Sequence, residues 1–128
     1  PVSLEVQLLG GNGKDDRTTG NLCTPGTHVV IKDSLVTQHC IDSRSKTFHG
    51  DQWVQAEVEV HGGRLIRHLI DGQVVLEYGD PQLDEGDADA QRLLQAGIAK
   101  RIEAGFICLQ AESHPVQFRN VQIRPLED

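Results

Sequence analysis

Residues 54–78 constrain this chain more than any other stretch. Val54, Ala56, Val58 and Val60 alternate with Gln55, Glu57, Glu59 and His61. A period of two is that of a strand with one apolar and one polar face. Gly62-Gly63 then marks a tight turn, and Leu65–Ile70 supplies a second strand. Asp71-Gly72, the strongest short hairpin dipeptide in the chain, leads to a return strand over Gln73–Tyr78. A two-residue turn of that kind suits the right-handed twist of paired strands. Three strands joined by two tight turns form an antiparallel meander. Its apolar face needs a second layer to cover it, and in a strand-rich chain that layer is another sheet.

The rest of the sequence supplies strands for it. Ser3–Leu9 alternates, with Leu4, Val6 and Leu8 opposite Glu5 and Gln7. Gly10-Gly11-Asn12-Gly13 breaks it, and a polar loop runs to Gly20. Val29–Ile31 and Leu35–Thr37 read as a hairpin around Lys32-Asp33-Ser34. Gly105–Glu112 alternates again, Ile107, Leu109 and Ala111 against Cys108, Gln110 and Glu112. In Val116–Arg124, Val116 and Phe118 keep one parity while Val121 and Ile123 keep the other. One extra residue near Arg119-Asn120, a bulge, reconciles the two. Gly79–Asp89 breaks the strand pattern, and its five acidic residues read as a solvated loop in preference to a calcium site. Ala90–Ala99 has helical spacing. The expected fold is all-β, a sandwich of two antiparallel sheets with one short helical insertion.

Composition narrows the partners. The 128 residues carry 12 Lys+Arg and 19 Asp+Glu, a net charge of −7. Phosphate backbones are bound by clustered basic residues, so no nucleic acid is expected. No apolar run reaches the roughly 20 residues of a membrane helix, so no membrane span is expected. The chain begins with Pro1, holds no Met and shows no signal-peptide pattern, so it reads as trimmed. Of the three cysteines, Cys23 and Cys40 bracket the expected hairpin, whose ends a turn would bring together. A Cys23–Cys40 bridge and three unpaired thiols both fit. There is no CxxC pattern for a structural zinc.

Three stretches together resemble the 3-keto-disaccharide hydrolase domain family. They are Trp53 before a strand, the segment Ile66 to Gly72 with its His and Asp-Gly turn, and the closing run Gly105 to Ile123, with GFICLQ followed by VQFRNVQI. SLEVQLLG with the glycine-rich loop and TGN resembles the family's earlier Glu-x-Gln strand. The resemblance runs along nearly the whole chain and is most specific in its last third. The helical insertion around Asp84–Arg101 is its least typical part. It implies a concanavalin-A-like jelly roll, one domain over residues 1–128. Family domains begin with several further strands, so it also implies an N-terminally incomplete sandwich. Such a sandwich would show either an open edge beside Ser3–Leu9 or a partner segment filling it.

The resemblance further implies a carbohydrate substrate: a di- or oligosaccharide or glycoside oxidised at C3. A ketone there acidifies the C2 hydrogen, so a base can remove it, an enolate can expel the C1 oxygen, and water can add back. That chemistry needs a base, an oxyanion stabiliser and an acid. The expected catalytic residues are Glu5, His68, Glu112 and His114. Gln7, His39, Gln110, Arg119 and Trp53 are expected to bind substrate. His28, His49 and His61 read as flank, loop and turn residues. Each candidate has an ordinary alternative: polar strand exteriors for Glu5, Gln7, Gln110 and Glu112, hydrogen-bonded structural histidines, a bulge tie for Arg119, and core packing, the first reading, for Trp53. Imidazole and carboxylate together suit a divalent metal, but there is no HxH or HExxH pattern. No cofactor is assigned. A hydrolase or lyase, a carbohydrate-binding module and an adhesion domain remain open, all secreted, periplasmic or on the cell surface. Convergence of Glu5, Gln7, His68, Gln110, Glu112 and His114 in one concave pocket is what the enzyme reading requires. Exposed strand edges would invite pairing with another copy.

Overall fold

A computed structural model describes residues 1–127. Two antiparallel sheets face each other, as the alternation predicts. The smaller contains β1 (Glu5–Gln7), β2 (Asn21–Cys23) and β5 (Cys40–Ile41) in the order β1-β2-β5. The larger contains β3 (Thr27–Ile31), β4 (Ser34–Val36), β6 (Ala56–His61), β7 (Leu65–Ile70) and β8 (Gln73–Leu83), ordered β4-β3-β8-β7-β6. A single helix, α1 (Ala88–Gln95), follows. The core between the sheets gathers Leu22, Val29, Ile66, Leu76 and Tyr78, with Leu4, Ile31, Val36 and Ile41 packed around them.

The hairpins form where the turn residues permit them. Lys32 and Asp33 both take positive φ between β3 and β4, as does Asp71 with Gly72 between β7 and β8. That pair of left-handed residues is the geometry a two-residue hairpin needs. The β7–β8 register then slips between His68 and Leu69: His68 faces Leu76 while Leu69 faces Val74. Val75 is therefore the extra residue, and Val75 and Leu76 are both buried.

Three expectations need correction. β8 does not stop at Tyr78 but continues through Gly79, Asp80 and Pro81 to Leu83, paired with β3. β7 has already ended its pairing at Tyr78, so the missing N–H of Pro81 interrupts no ladder on that side. Gly79 is needed there because a Cβ would strike the Arg64 carbonyl. The helix begins at Ala88, earlier than its apolar spacing indicated, because the Asp87 side chain caps it by accepting from Ala90 N at 2.9 Å. The third correction is the largest. Gly105–Glu112 and Val116–Arg124 form no strands, and residues 103–127 are exposed throughout. Their alternation meets no sheet edge in hydrogen-bond register, and an isolated strand has nothing to satisfy its backbone groups.

A related feature marks β6. Ala56, Val58 and Val60 stand opposite Ile70, His68 and Ile66, all buried, so they share the core-facing side of the sheet. Yet Val58 is 48% and Val60 50% exposed. Nothing among the described residues covers this end of the inner face. The outer edge of β1 is likewise unpaired among the described residues.

Candidate functional site

β1 carries Glu5 and Gln7 on the side away from the core. Val6 faces the fully buried Leu22, whereas Glu5 faces Cys23 and Gln7 faces Asn21. Glu5, Gln7, Asn21 and Cys23 therefore share one face of the smaller sheet. Cys23 faces Cys40 in turn and is joined to it by a disulfide. The bridge links β2 to β5 across 17 residues of sequence. Strand pairing in the smaller sheet brings the two cysteines together, while the β3–β4 hairpin between them belongs to the other sheet.

Asn21, which sequence reading passed over, organises this face. Its Oδ1 accepts from Thr18 Oγ1 at 2.7 Å and Ser43 N at 2.8 Å, while its Nδ2 donates to the Thr18 carbonyl at 3.2 Å. Ser43 Oγ donates to the Thr19 carbonyl at 2.6 Å, and Leu9 N donates to Thr19 Oγ1 at 2.9 Å. The loop before β2 is thereby tied to both flanking segments. The Thr-x-x-Asn spacing of TTGN was the available signal, since such side chains bond to backbone a few residues away.

His68 lies elsewhere. It is 0% exposed, between the two sheets. Its Nδ1 lies 2.7 Å from the Gly20 carbonyl and its Nε2 2.9 Å from Tyr78 Oη. A carbonyl only accepts, so Nδ1 carries the proton and Nε2 accepts from the tyrosine hydroxyl. Burial pushes the imidazole below its ordinary pKa, the Gly20 bond offsetting this in part, and pushes the Tyr78 hydroxyl upward. The neutral ring thus bolts β7 and β8 to the residue that leads into β2.

The remaining candidates are dispersed. Gln110, Glu112 and His114 stand on the exposed C-terminal segment, where His114 Nδ1 donates to the Glu112 carbonyl at 2.7 Å. Arg119 and Trp53, far apart in sequence, do meet: the guanidinium sits 4.0 Å over the indole ring. Trp53 is 51% exposed and is no core residue. His39 lines a cleft of about 340 Å³ at one end of the sandwich, with His28, Thr24, Thr37, Asp84 and Asp87. His28 Nε2 pairs there with Asp84 Oδ2 at 3.4 Å, a contact between β3 and the loop after β8 that only the fold brings about. Neither Glu5 nor Gln7 lines this cleft. The six residues required to converge do not share one pocket. Among the described residues, no group of three or more His, Cys, Asp or Glu side chains is placed to hold a metal ion.

The outer face of the larger sheet carries an ion row instead. Arg67 donates from Nε to Glu77 Oε2 at 2.7 Å and from Nη1 to Glu59 Oε1 at 3.3 Å, and His61 Nε2 donates to the same Glu59 oxygen at 2.6 Å. The His61 bond, with Arg67 behind it, holds the Glu59 carboxyl below its ordinary pKa. Glu59, Arg67 and Glu77 are directly opposed residues on β6, β7 and β8, the usual cross-strand unit of sheet surfaces, and His61 joins them from two residues along β6.

A family model described as a 3-keto-alpha-glucoside-1,2-lyase-like domain matches residues 1–124. The chain belongs to that family. The match includes the C-terminal segment as well as the sandwich. No curated protein and no solved structure matches the chain. Family membership implies a carbohydrate substrate. No helix among the described residues is long and apolar enough to cross a membrane.

Proposed function

We propose that this domain cleaves glycosides oxidised at C3, by elimination followed by hydration. The observation that carries the reading is the family match over residues 1–124. Glu5, half-buried on a formed strand, takes the C2 proton as general base. The electron pair moves into the C2–C3 bond and onto the C3 oxygen, and the amide of Gln7, two residues along the same face, donates to that oxyanion. The enolate then expels the glycosidic oxygen from C1, which takes a proton from water: Glu112 and His114 stand on the exposed C-terminal segment, so the reading rests on Glu5 and Gln7. Water adds to C1 and a proton returns to C2. Arg119 and Trp53 bind the sugar, the indole by its apolar face. His68 reaches no substrate in this reading. It is a positioning residue that holds Gly20, and through it Asn21 and β2, beside Glu5 and Gln7. The Cys23–Cys40 bridge supports an extracytoplasmic location, since such bonds persist in oxidising compartments.

The test is proton exchange. The full chain is incubated with a 3-keto-α-glucoside in deuterated water, and deuterium at C2 and release of the leaving group are followed together. Both should appear, and Glu5→Gln should slow both by about 10²–10⁴-fold, the usual worth of a general base. Failure of the chain to exchange or cleave any such glycoside would remove the lyase reading. Saturable sugar binding without exchange would establish the second reading, a carbohydrate-binding module, which the half-exposed Trp53 with Arg119 stacked on it favours.

A further inference from the structure

The molecule contains an open strand position and an unused strand. The open position is the outer edge of β6, last in its sheet. Its backbone groups on that side have no strand partner among the described residues, and its core-facing Val58 and Val60 are half exposed. The unused strand is Val116–Arg124. Val116, Phe118, Val121 and Ile123 are exposed there, Val121 to 63% and Ile123 to 77%, although their spacing is that of a two-faced strand. Asn120 takes φ 53° between the two pairs, at the point where the parity changes. Contiguous exposed apolar residues of this kind mark an interaction surface.

Charge matches the two. β6 carries Glu57 and Glu59 and neither Lys nor Arg, while Val116–Arg124 carries Arg119 and Arg124 and neither Asp nor Glu. Pairing β6 with another β6 would set glutamates against glutamates, an arrangement that opposes association. Within one chain the match is not realised. Arg119 is stacked on Trp53, ahead of β6, and the segment makes no ladder with that strand. The segment is tethered by residues 103–115, which can extend about 40 Å. That is ample to reach a neighbouring molecule.

We propose that Val116–Arg124 of one copy adds as a strand to the outer edge of β6 in a second copy, in a reciprocal exchange that makes a two-fold dimer. Each copy supplies what the other lacks, so both vacancies close at once. Val121 or Phe118 then covers Val58 and Val60, and Arg119 lies beside the β6 glutamates.

Light scattering on the full chain over a wide concentration range tests this. The expected result is a concentration-dependent doubling of the 14.1 kDa mass. Val121→Asp should abolish the doubling while leaving the melting temperature of the monomer unchanged. Arg119→Glu with Arg124→Glu should weaken it at least tenfold, and Glu57→Arg should do the same. Mixing the last two proteins should restore a dimer containing one of each, because one strand addition then keeps its original charges and the other sets the introduced glutamates against the cation introduced at position 57. A chain that stays monomeric at all concentrations overturns the proposal, whether β6 amides exchange freely or are protected by the segment of the same chain. A dimer that survives Val121→Asp, or two charge variants that do not combine when mixed, overturns it as well.

Discussion

β7 and the stretch Gly105–Ala111 carry the same kind of information and end differently. Leu65–Ile70 reads as a strand whose burial alternates residue by residue, and Ile107–Glu112 alternates in the sequence itself. β7 has β6 on one side and β8 on the other, and its Ile66, His68 and Ile70 are buried. The later stretch has no strand partner among the described residues, and its Ile107 is 78% exposed. Alternation specifies which side of a strand faces inward, but it does not specify a neighbour. β7 is bracketed by two tight turns that deliver its neighbours within a few residues. Gly105–Ala111 follows a helix and a loop, and nothing local delivers an edge to it.

The sharpest way to break this comparison is truncation in each region. Leu22→Ala should cost about 3–5 kcal/mol in a denaturant titration, since Leu22 is fully enclosed in the core. Ile107→Ala should change the monomer by less than about 0.5 kcal/mol. Equal costs would mean that the C-terminal segment packs in solution as tightly as β7. Reducing the Cys23–Cys40 bridge should remove about 3 kcal/mol, by the chain-entropy estimate for a loop of this size. Unfolding with and without reductant checks it, and no change would show that β2 and β5 need no covalent tie.

Acid tests the bolt between the sheets. His68 is neutral in the fold and its pKa lies below the ordinary 6.5. The unfolded chain therefore binds the proton more readily. Its stabilising contribution is complete above pH 6.5 and falls by about 1.4 kcal/mol per pH unit below that, until the depressed pKa is reached. His68→Gln should flatten this dependence in melts taken over the same range. An unchanged slope would place the acid sensitivity elsewhere. A small effect is expected on the exposed ion row: Arg67→Ala should lower the melting temperature only slightly, and less in high salt. A larger loss would show that the outer face of the meander contributes to holding β6 in place.

Much of the fold was legible in the sequence because its signals are local. Alternation plus Gly-Gly and Asp-Gly turns produced β6, β7 and β8 nearly as they stand. Lys32-Asp33 produced the β3–β4 hairpin. The continuation of β8 was not legible, since Gly79-Asp80-Pro81 looks like a break unless one knows that β7 has already ended. Of the candidate site, Glu5 and Gln7 were readable as a polar strand face, and Trp53 and Arg119 as separate candidates. Their stacking was not readable, nor was the His28–Asp84 pair. The burial of His68 was hidden for the same reason, because a histidine in mid-strand has the same local pattern whether its face meets water or the other sheet.

The sequence by itself determined the class of structure, the turns, the faces of most strands and the family to which the chain belongs. These follow from backbone geometry with a period of two, from the few residues that tolerate positive φ, and from the order of motifs. Tertiary structure alone decided which strands became neighbours, that Cys23 would meet Cys40 across the smaller sheet, and that His68 would join Gly20 to Tyr78. It also decided that residues 105–124 would join no sheet among the described residues. Each of these depends on long-range backbone pairing, where a strand that fits an edge still requires that edge to be brought within hydrogen-bond distance.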